Sequence, residues 1–437
     1  MSAEILRTQI AELDKIERVF QEIVLKKLNI DRTHLRRQLN ALHDPIARLP
    51  LEISSQIFLY TLEPSDSEFH NPAPIATHAP MLLLNICHAW SDITLSTPAL
   101  WTTIHVSFPC TNGMNDSLLL PWLERAGSRP LSLSVDGPFH DASSIIWRRP
   151  DRLKCLKFHV GIEAETGKST VEIWWESLEE RDFPTLETLI ICGPPSTNDS
   201  LHMSTLVEFL SSAPNLVELV MKDASDVEPA PLSLALPNLR RLQFGDWREF
   251  KDIDASLIDA LTCSQLESLT VPMYDFGWSG RSAEMVHNFL TRSAPPLKEF
   301  VAGVAHGKTL DWSTLLKSLT LAPTLLRLEI WCISCGQAEE ILENLAASLS
   351  LLPNLTSIVL HRNHRELDRF PDSFFTQLSA TFIARRRLHS FSFKLHAWRT
   401  DLSLVPAPNI LAPLQELVAN GRHLDITNVL GSFPFNS

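Results

Sequence analysis

A cysteine pair and a glycine-containing loop have the spacings in this sequence that come closest to those of a reactive site. Cys332 and Cys335 are separated by two residues, as in metal-binding and redox-active pairs, but no second cysteine pair and no suitably spaced histidine pair completes a zinc site. Residues 161–169 end in Gly-Lys-Ser like a phosphate-binding loop, yet five residues separate the two glycines where that motif requires four. The sequence therefore favours an ordinary structural role for both segments.

The sequence patterns that accompany common catalytic sites are also missing. The 16 histidines include no His-Glu-x-x-His pattern, and there is no Gly-x-Ser-x-Gly elbow. Adjacent acids at residues 179–180 and 339–340 stand in polar surroundings, which favour a solvated face over acid/base catalysis. We therefore expect that the chain is not an enzyme and that it needs no cofactor and no metal ion.

Charge and hydropathy narrow the class of partner. The 437 residues carry a formal net charge of -13 without a dense basic run, which argues against binding to nucleic acid or to an anionic membrane surface. Apolar runs such as residues 81–84 are far shorter than the roughly 20 residues that span a bilayer. Seven scattered cysteines favour reduced thiols, so we expect an intracellular protein, cytoplasmic or nuclear or both, that binds other proteins.

The first 43 residues have the pattern of one long amphipathic helix. No proline or glycine occurs between Glu4 and Leu42, and apolar residues recur at helical spacing. The stripe comprises Leu6, Ile10, Leu13, Phe20, Val24, Leu28, Leu35, Leu39 and Leu42. Its phase shifts between Val24 and Leu28, which argues against a long regular coiled coil. Packing of this helix on its own domain and self-association both remain open.

Residues 44–108 contain two further helical stripes. Pro50 suits the first turn of a helix and Glu52 is favoured there by the helix dipole, while Ile53, Ile57 and Phe58 form one apolar face. A loop rich in Pro, Ser and His follows, up to residue 80. The second stripe comprises Leu83, Ile86, Cys87, Trp90 and Ile93, and the segment closes with Pro98-Ala-Leu-Trp. A unit of three short helices buries little surface, so its exposed apolar residues indicate an interface.

Three sub-motifs of this segment resemble the F-box, in the version common among fungal F-box proteins. They are Leu49-Pro-x-Glu-Ile-x-x-x-Ile-Phe, Ile86-Cys-His-x-Trp and Pro98-x-Leu-Trp, in that order. The resemblance implies an all-helical unit that binds a Skp-type adaptor and, through it, the cullin of a ubiquitin ligase. The loop between the first two helices is longer than in the simplest members of the family, and His88 stands where an arginine is usual.

The same resemblance implies which residues form the adaptor surface. They are Leu49, Pro50, Ile53, Ile57, Phe58, Cys87 and Trp90. For large apolar anchors of this kind we expect contributions of about 1–3 kcal/mol each when they are buried by a partner. The spacing of Trp90 and Trp101 also favours packing between the helices, and this alternative stays open for Trp90.

Residues 109–437 repeat the pattern Leu-x-x-Leu-x-apolar, usually after a proline and a small or polar residue. The copies begin at residues 153, 186, 216, 239, 266, 297, 325, 355, 388 and 414, on average about 29 residues apart. This period is typical of leucine-rich repeats, in which a short strand is followed by a helical return. We therefore predict an α/β repeat of the leucine-rich type, a solenoid with parallel strands. Candidate helical returns lie at residues 206–211, 257–261, 283–290 and 338–349.

The strand positions on either side of the second leucine should face away from the core. From these positions we take as candidate contacts with a protein substrate Lys222, Arg241, Arg327, Glu329, Trp331 and His361. Trp331 is typical of an interface anchor on an exposed strand, although packing under a neighbouring loop is equally compatible with the sequence.

These patterns lead to three functional hypotheses. The first is a substrate-recognition subunit of a Skp–cullin–F-box ubiquitin ligase, in which residues 44–108 bind the adaptor and residues 109–437 bind an unidentified protein substrate. The second is a leucine-rich-repeat scaffold that assembles protein complexes without any role in a ligase. The third is a hydrolase or transferase in a degenerate α/β domain, which would require a deep pocket with perturbed titratable groups.

Overall fold

The structure is a computed structural model with two compact units, Met1–Ser132 and Leu133–Ser437. It describes residues 3–62, 78–107, 115–136, 149–159, 182–192, 203–222, 233–245, 257–273, 281–304, 312–331, 333–362, 371–395, 408–428 and 431–432. Within these ranges no helix is both long enough and apolar enough to cross a membrane. The predicted boundaries after residues 43 and 108 stay predictions, since the division at residue 132 reflects contacts and not function.

The first unit is mainly helical. Its elements are α1 (Ala3–His43), a 3-10 turn (Ile46–Arg48), α2 (Leu51–Leu59), a 3-10 turn (Leu83–Asn85), α3 (His88–Leu95), a 3-10 turn (Pro98–Trp101), β1 (Thr103–Ser107) and α4 (Asn115–Ala126). The long N-terminal helix predicted from the apolar stripe is confirmed. Pro50 stands at the N-cap of α2, where its carbonyl accepts the first helical hydrogen bonds and no backbone donor is lost.

Aromatic side chains form the core between the short helices. Phe58 and Trp101 are completely buried. The ring of Phe58 packs on Trp90, with 4.8 Å between centroids. Trp101 donates from Nε1 to the carbonyl of Thr94 at 3.0 Å and meets Trp122 edge to face. The expectation that Trp101 packs in the core is therefore confirmed, and its buried N–H has the partner that such a group needs.

The second unit alternates strands and helices. Its strands are β2 (Leu131–Asp136, which begins in the first unit), β3 (Leu153–His159), β4 (Thr188–Cys192), β5 (Glu218–Lys222), β6 (Leu234–Ala235), β7 (Arg241–Phe244), β8 (Leu261–Thr262), β9 (Ser268–Met273), β10 (Glu299–Val304), β11 (Arg327–Trp331), β12 (Ser357–Arg362), β13 (Ser390–Leu395), β14 (His423–Asn428) and β15 (Gly431–Ser432). Its helices are α5 (Met203–Ser211), α6 (Leu257–Ala260), α7 (Arg281–Ser293), α8 (Trp312–Leu319), α9 (Cys335–Ala347), α10 (Asp372–Ala384) and α11 (Pro408–Ala419).

The predicted α/β class with a large parallel sheet is confirmed. The strands lie in the order β3-β4-β5-β7-β9-β10-β11-β12-β13-β14, and every neighbouring pair in this series is parallel. The short β15 then pairs antiparallel with β14. The four predicted helical returns overlap with α5, α6, α7 and α9, although the second and the fourth were predicted to end one and two residues too late.

Equal register across the sheet lines the repeated apolar residues up in rows. One buried row runs through Leu156, Leu189, Leu219, Leu242, Leu269, Phe300, Leu328, Ile358, Phe391 and Leu424. Beside it lie Phe158, Ile191, Met221 and Phe244 on β3–β7, and Val271, Ala302, Ile330, Leu360, Phe393 and Ile426 on β9–β14. Phe374 of α10 packs on Phe391 and Phe393, so this helix covers the apolar side of the sheet.

In several repeats the residue between the proline and the first leucine also has a physical role. The side-chain amide of Asn215 donates to the carbonyl of Pro184 at 2.8 Å, one repeat earlier. Asn354 donates to the carbonyl of Pro323 at the same distance. In an intervening repeat, the hydroxyl of Thr324 donates to the carbonyl of Leu297. These contacts satisfy carbonyls of the turns that precede the strands, and they connect each of these three repeats to the preceding one.

The prediction that a further copy of the repeat begins at Leu414 is wrong. Leu414 lies inside α11, and the final parallel strand is β14, which begins at His423. The spacing Leu-x-x-Leu also occurs on one face of a helix, so the pattern alone does not separate the two.

Candidate functional site

An exposed apolar patch lies on and just before α2. Leu49, Leu51, Ile53 and Ile57 are between 38% and 49% exposed, and Pro50 is exposed beside them. These five residues are called the α2 patch below. Four of them are predicted adaptor contacts, whereas Leu51 was not predicted because it stands at a variable position of the quoted sub-motif. A cluster of large apolar side chains left in water is typical of a surface that a partner covers.

The other three predicted adaptor residues lie beneath or beside this patch. Phe58 and Cys87 are fully buried, and Trp90 is partly buried against Phe58. Phe58 belongs to the core because position i+1 after Ile57 points back towards α3, where Trp90 meets it. These residues therefore support the α2 patch, and in this arrangement Phe58 and Cys87 are not on the surface.

Asp44 joins the segment before α2 to the start of α3. Its Oδ1 accepts from the backbone N–H of Ile46 at 2.9 Å. Its Oδ2 accepts from the indole Nε1 of Trp90 and from the thiol of Cys87. Burial raises the pKa of the Cys87 thiol, which favours the neutral form that can donate. Asp44 was missed as a structural residue of the site, although an Asp before a turn is a known capping signal.

In the second unit, the predicted substrate residues lie on the sheet face opposite the leucine rows. Arg327, Glu329 and Trp331 alternate with the buried residues Leu328 and Ile330 along β11. His361 on β12 is in register with Trp331. Lys222 and Arg241 stand on β5 and β7, and β9 and β10 separate them from β11. The structure therefore brings together four of the six predicted residues.

These four residues, called the Glu329 cluster below, are connected through one carboxylate. Glu329 Oε1 accepts from Trp331 Nε1 at 2.8 Å, and His361 Nε2 lies 3.1 Å from the same oxygen. Glu329 Oε2 accepts from Arg327 Nη2 at 2.6 Å. Arg327 also reaches Glu299 on β10, with 3.1 Å between Nε and Oε1. The Glu329 carboxylate thus accepts hydrogen bonds from three side chains on two strands.

Trp331 is packed and not exposed. Its ring stacks on the imidazole of His361, with 3.4 Å between centroids and 12° between planes. Only 6% of Trp331 and 3% of His361 is exposed. Of the two interpretations left open by the sequence, packing is favoured over an exposed anchor, although the partner is a histidine of the next strand and not a loop.

The environment of Glu329 holds it in the charged form. Burial by itself raises the pKa of this carboxyl, but the hydrogen bonds from His361 and Arg327 outweigh burial and bring the pKa to about 2. A carboxylate that stays ionised and is shared by three donors does not take up a proton near neutral pH. The Glu329 cluster is therefore suited to fixing charged side chains on the sheet face and not to general acid/base catalysis.

The remaining candidates for chemistry have simpler explanations or lie outside the described residues. Cys335 begins α9, and its sulfur accepts from Nη1 of the buried Arg362 at 2.9 Å. Cys332 and residues 161–169 fall outside the described ranges. Within those ranges no group of three or more His, Cys, Asp or Glu side chains is placed to hold a metal ion.

Comparison with known proteins adds no assignment to this geometry. No protein-family model matches the sequence, and no curated protein matches it.

Proposed function

We propose that this chain is an F-box protein, the substrate-recognition subunit of a Skp–cullin–F-box ubiquitin ligase. The α2 patch carries this proposal, because large apolar side chains remain exposed on and next to a helix whose other face is anchored by Phe58. A Skp-type adaptor that covers these side chains would bury apolar surface at the centre of an interface, where it contributes most to affinity.

The second unit supplies the other half of the proposal, a leucine-rich-repeat solenoid that binds a protein substrate. Its equal register, its rows of buried leucines and the side-chain contacts between successive turns support this repeat type. The open sheet face carries both positive and negative side chains, which form ion pairs such as Arg241 with Glu218 and Arg327 with Glu299. Such a face suits a partner with both charges, and an intracellular address, cytoplasmic or nuclear, belongs to the same proposal.

The proposed mechanism is proximity. Holding a substrate near a ubiquitin-charged enzyme on the same cullin raises its local concentration, and no residue of this chain has to react. A repeat scaffold without a ligase role is the second candidate. Adaptor binding distinguishes the two, since a scaffold whose helical module serves only for internal packing does not need the α2 patch to be covered.

The test is binding of the full chain to a purified Skp-type adaptor. The double substitution Ile53→Asp with Ile57→Asp is expected to weaken binding at least about tenfold, because two charges would have to be desolvated at the centre of the interface. Both side chains are partly exposed, so the fold should tolerate the change. Phe58 is unsuitable for this purpose, since an acid at a fully buried position would unfold the module.

Leu349→Asp with Ile383→Asp is the matched control, because these side chains are 62% and 72% exposed in the second unit. Isothermal calorimetry gives the affinities, and circular dichroism checks folding. Failure of the folded wild-type chain to bind the adaptor would reject the ligase proposal and leave the scaffold in first place. Equal loss in both double variants would mean that the α2 patch is not the docking surface.

A further inference from the structure

The longest helix that the structure describes carries large apolar side chains in water. Along α1, Leu13, Phe20, Leu28 and Leu35 are each between 58% and 66% exposed, and Val24 is 37% exposed. Within the first unit, the C-terminal part of α1 contacts α3. There the ring of His34 lies edge to face with the ring of His88. A helix with this much exposed apolar surface gains stability mainly by packing against another element.

The five positions Leu13, Phe20, Val24, Leu28 and Leu35 are arranged symmetrically about Val24, whereas the exposed Ile30 and Leu39 have no apolar counterpart at the mirrored positions. Phe20 and Leu28 stand four residues before and after it, and Leu13 and Leu35 stand eleven residues before and after it. At about 100° per residue these five positions fall within about 80° of the helix circumference, so they form one stripe. In the sequence, Leu6 and Leu42 continue the same symmetry at eighteen residues on either side.

A stripe with this symmetry matches itself when a second copy runs in the opposite direction. Leu13 then lies opposite Leu35 of the second copy, and Phe20 lies opposite Leu28 of the second copy. Val24 meets its own equivalent on the two-fold axis, as an isologous interface requires. The phase shift between Val24 and Leu28 disrupts a regular parallel coiled coil, whereas the antiparallel pair requires only the symmetry of the stripe about Val24.

The charges of α1 favour the same direction. Residues 12–22 contain more acids than bases, namely Glu12, Asp14, Glu17 and Glu22 against Lys15 and Arg18. Residues 26–37 are basic, with Lys26, Lys27, Arg32, Arg36 and Arg37 against Asp31. An antiparallel pair places each acidic half beside a basic half, whereas a parallel pair places like halves together. The acidic half also argues against an anionic membrane as the occupant of the stripe.

We infer that α1 forms an antiparallel pair with α1 of a second copy of this chain, with Val24 at the two-fold axis. The inference does not depend on adaptor binding. With a rise of about 1.5 Å per residue, the two copies of His43 lie about 57 Å apart, so the C-terminal ends of the two helices stand at opposite ends of the pair. Two acidic residues, Glu17 and Asp31, also lie on the stripe, and in the pair Glu17 faces Asp31 of the second copy. The repulsion between these like charges weakens the pair.

Sedimentation of the full chain in the micromolar range tests the pairing. The wild type is expected to be a dimer, and Phe20→Asp with Leu28→Asp should raise its dissociation constant at least about tenfold, because four acids would then enter the seam. Asn29→Asp with Thr33→Asp adds the same charge on the opposite, exposed side of α1 and should leave the dimer intact. A monomeric wild type, or equal dissociation of both variants, would overturn the inference.

The substitution Glu17→Lys tests the direction. In the antiparallel pair, the new ammonium group faces Asp31 of the second copy, and two repulsive oppositions become attractive. The dimer should then bind several-fold more tightly. In a parallel pair, position 17 faces its own equivalent, so the substitution only exchanges one like-charge opposition for another. Weaker or unchanged association of the Glu17→Lys variant would therefore overturn the antiparallel arrangement even if the wild type is a dimer.

Discussion

Replacing Arg385 with methionine is expected to destabilise the second unit by about 4 kcal/mol, because several buried carbonyls would lose their donor at once. Arg385 follows α10 and is only 6% exposed. Its Nε donates to the carbonyl of Leu345 at 2.7 Å and its Nη1 to that of Leu352 at 2.9 Å. Its Nη2 donates to the carbonyls of Ser348, at 2.6 Å, and Leu351. One guanidinium thus closes the end of α9 and the turn that follows.

The same contacts hold a strained backbone in place. Leu352 is fully buried and has a φ of 51°, in the left-handed region that non-glycine residues rarely adopt. Its carbonyl accepts from Arg385 and from the N–H of Leu355. Methionine matches the length of the stem of Arg385 but donates nothing, so this turn should relax and expose Leu352.

Urea unfolding followed by circular dichroism measures the effect. Arg386→Met is the matched control, because Arg386 is exposed and a surface change of this kind is expected to stay within about 0.5 kcal/mol. If Arg385→Met is as mild as its neighbour, the carbonyls of the turn must find other donors in the variant, and the role assigned to Arg385 is wrong.

The sequence alone was sufficient to predict those parts of the structure that one local rule determines, such as helical spacing or alternation along a strand. The α1 stripe has no helix-breaking residue and keeps helical spacing along most of the element, so its helix followed directly. The leucine rows followed because each repeat buries the same positions against its neighbours. Outward positions such as Glu329 were assigned correctly to the open face, since alternation along a strand depends on the backbone alone.

The sequence alone was not sufficient to predict burial or hydrogen bonding that depends on contacts between residues far apart in the chain. Ile57 and Phe58 are adjacent and both apolar, but only Phe58 is buried, because Trp90 from the next helix packs on it. Trp331 alternates outward as predicted and is nevertheless buried, since His361 from the next strand stacks on it. No pattern along the chain indicated that Arg385 would donate to carbonyls of the preceding repeat.

Replacing Glu329 with glutamine is expected to cost about 3 kcal/mol of stability at neutral pH, from the depression of its pKa from 4.5 to about 2 in the folded chain. A carboxyl whose pKa is lower in the folded than in the unfolded state stabilises the fold above the unfolded pKa. This contribution is complete above about pH 5 and is lost as the pH falls from 4.5 towards 2. Glutamine has a single acceptor oxygen, so its NH2 group would face either Arg327 or the two donors Trp331 and His361.

Urea unfolding between about pH 3 and 7 should therefore show that the wild type loses its advantage over Glu329→Gln as the solution becomes acidic. Glu343→Gln serves as the control, because Glu343 is exposed on α9 and its replacement should leave the pH dependence of the wild type unchanged. A difference between wild type and Glu329→Gln that stays constant over this range would show that the carboxylate is not held by His361 and Arg327 in solution. The positions of Arg327 and Trp331, the two candidate substrate contacts on β11 that donate to this carboxylate, would then not depend on the charge of Glu329.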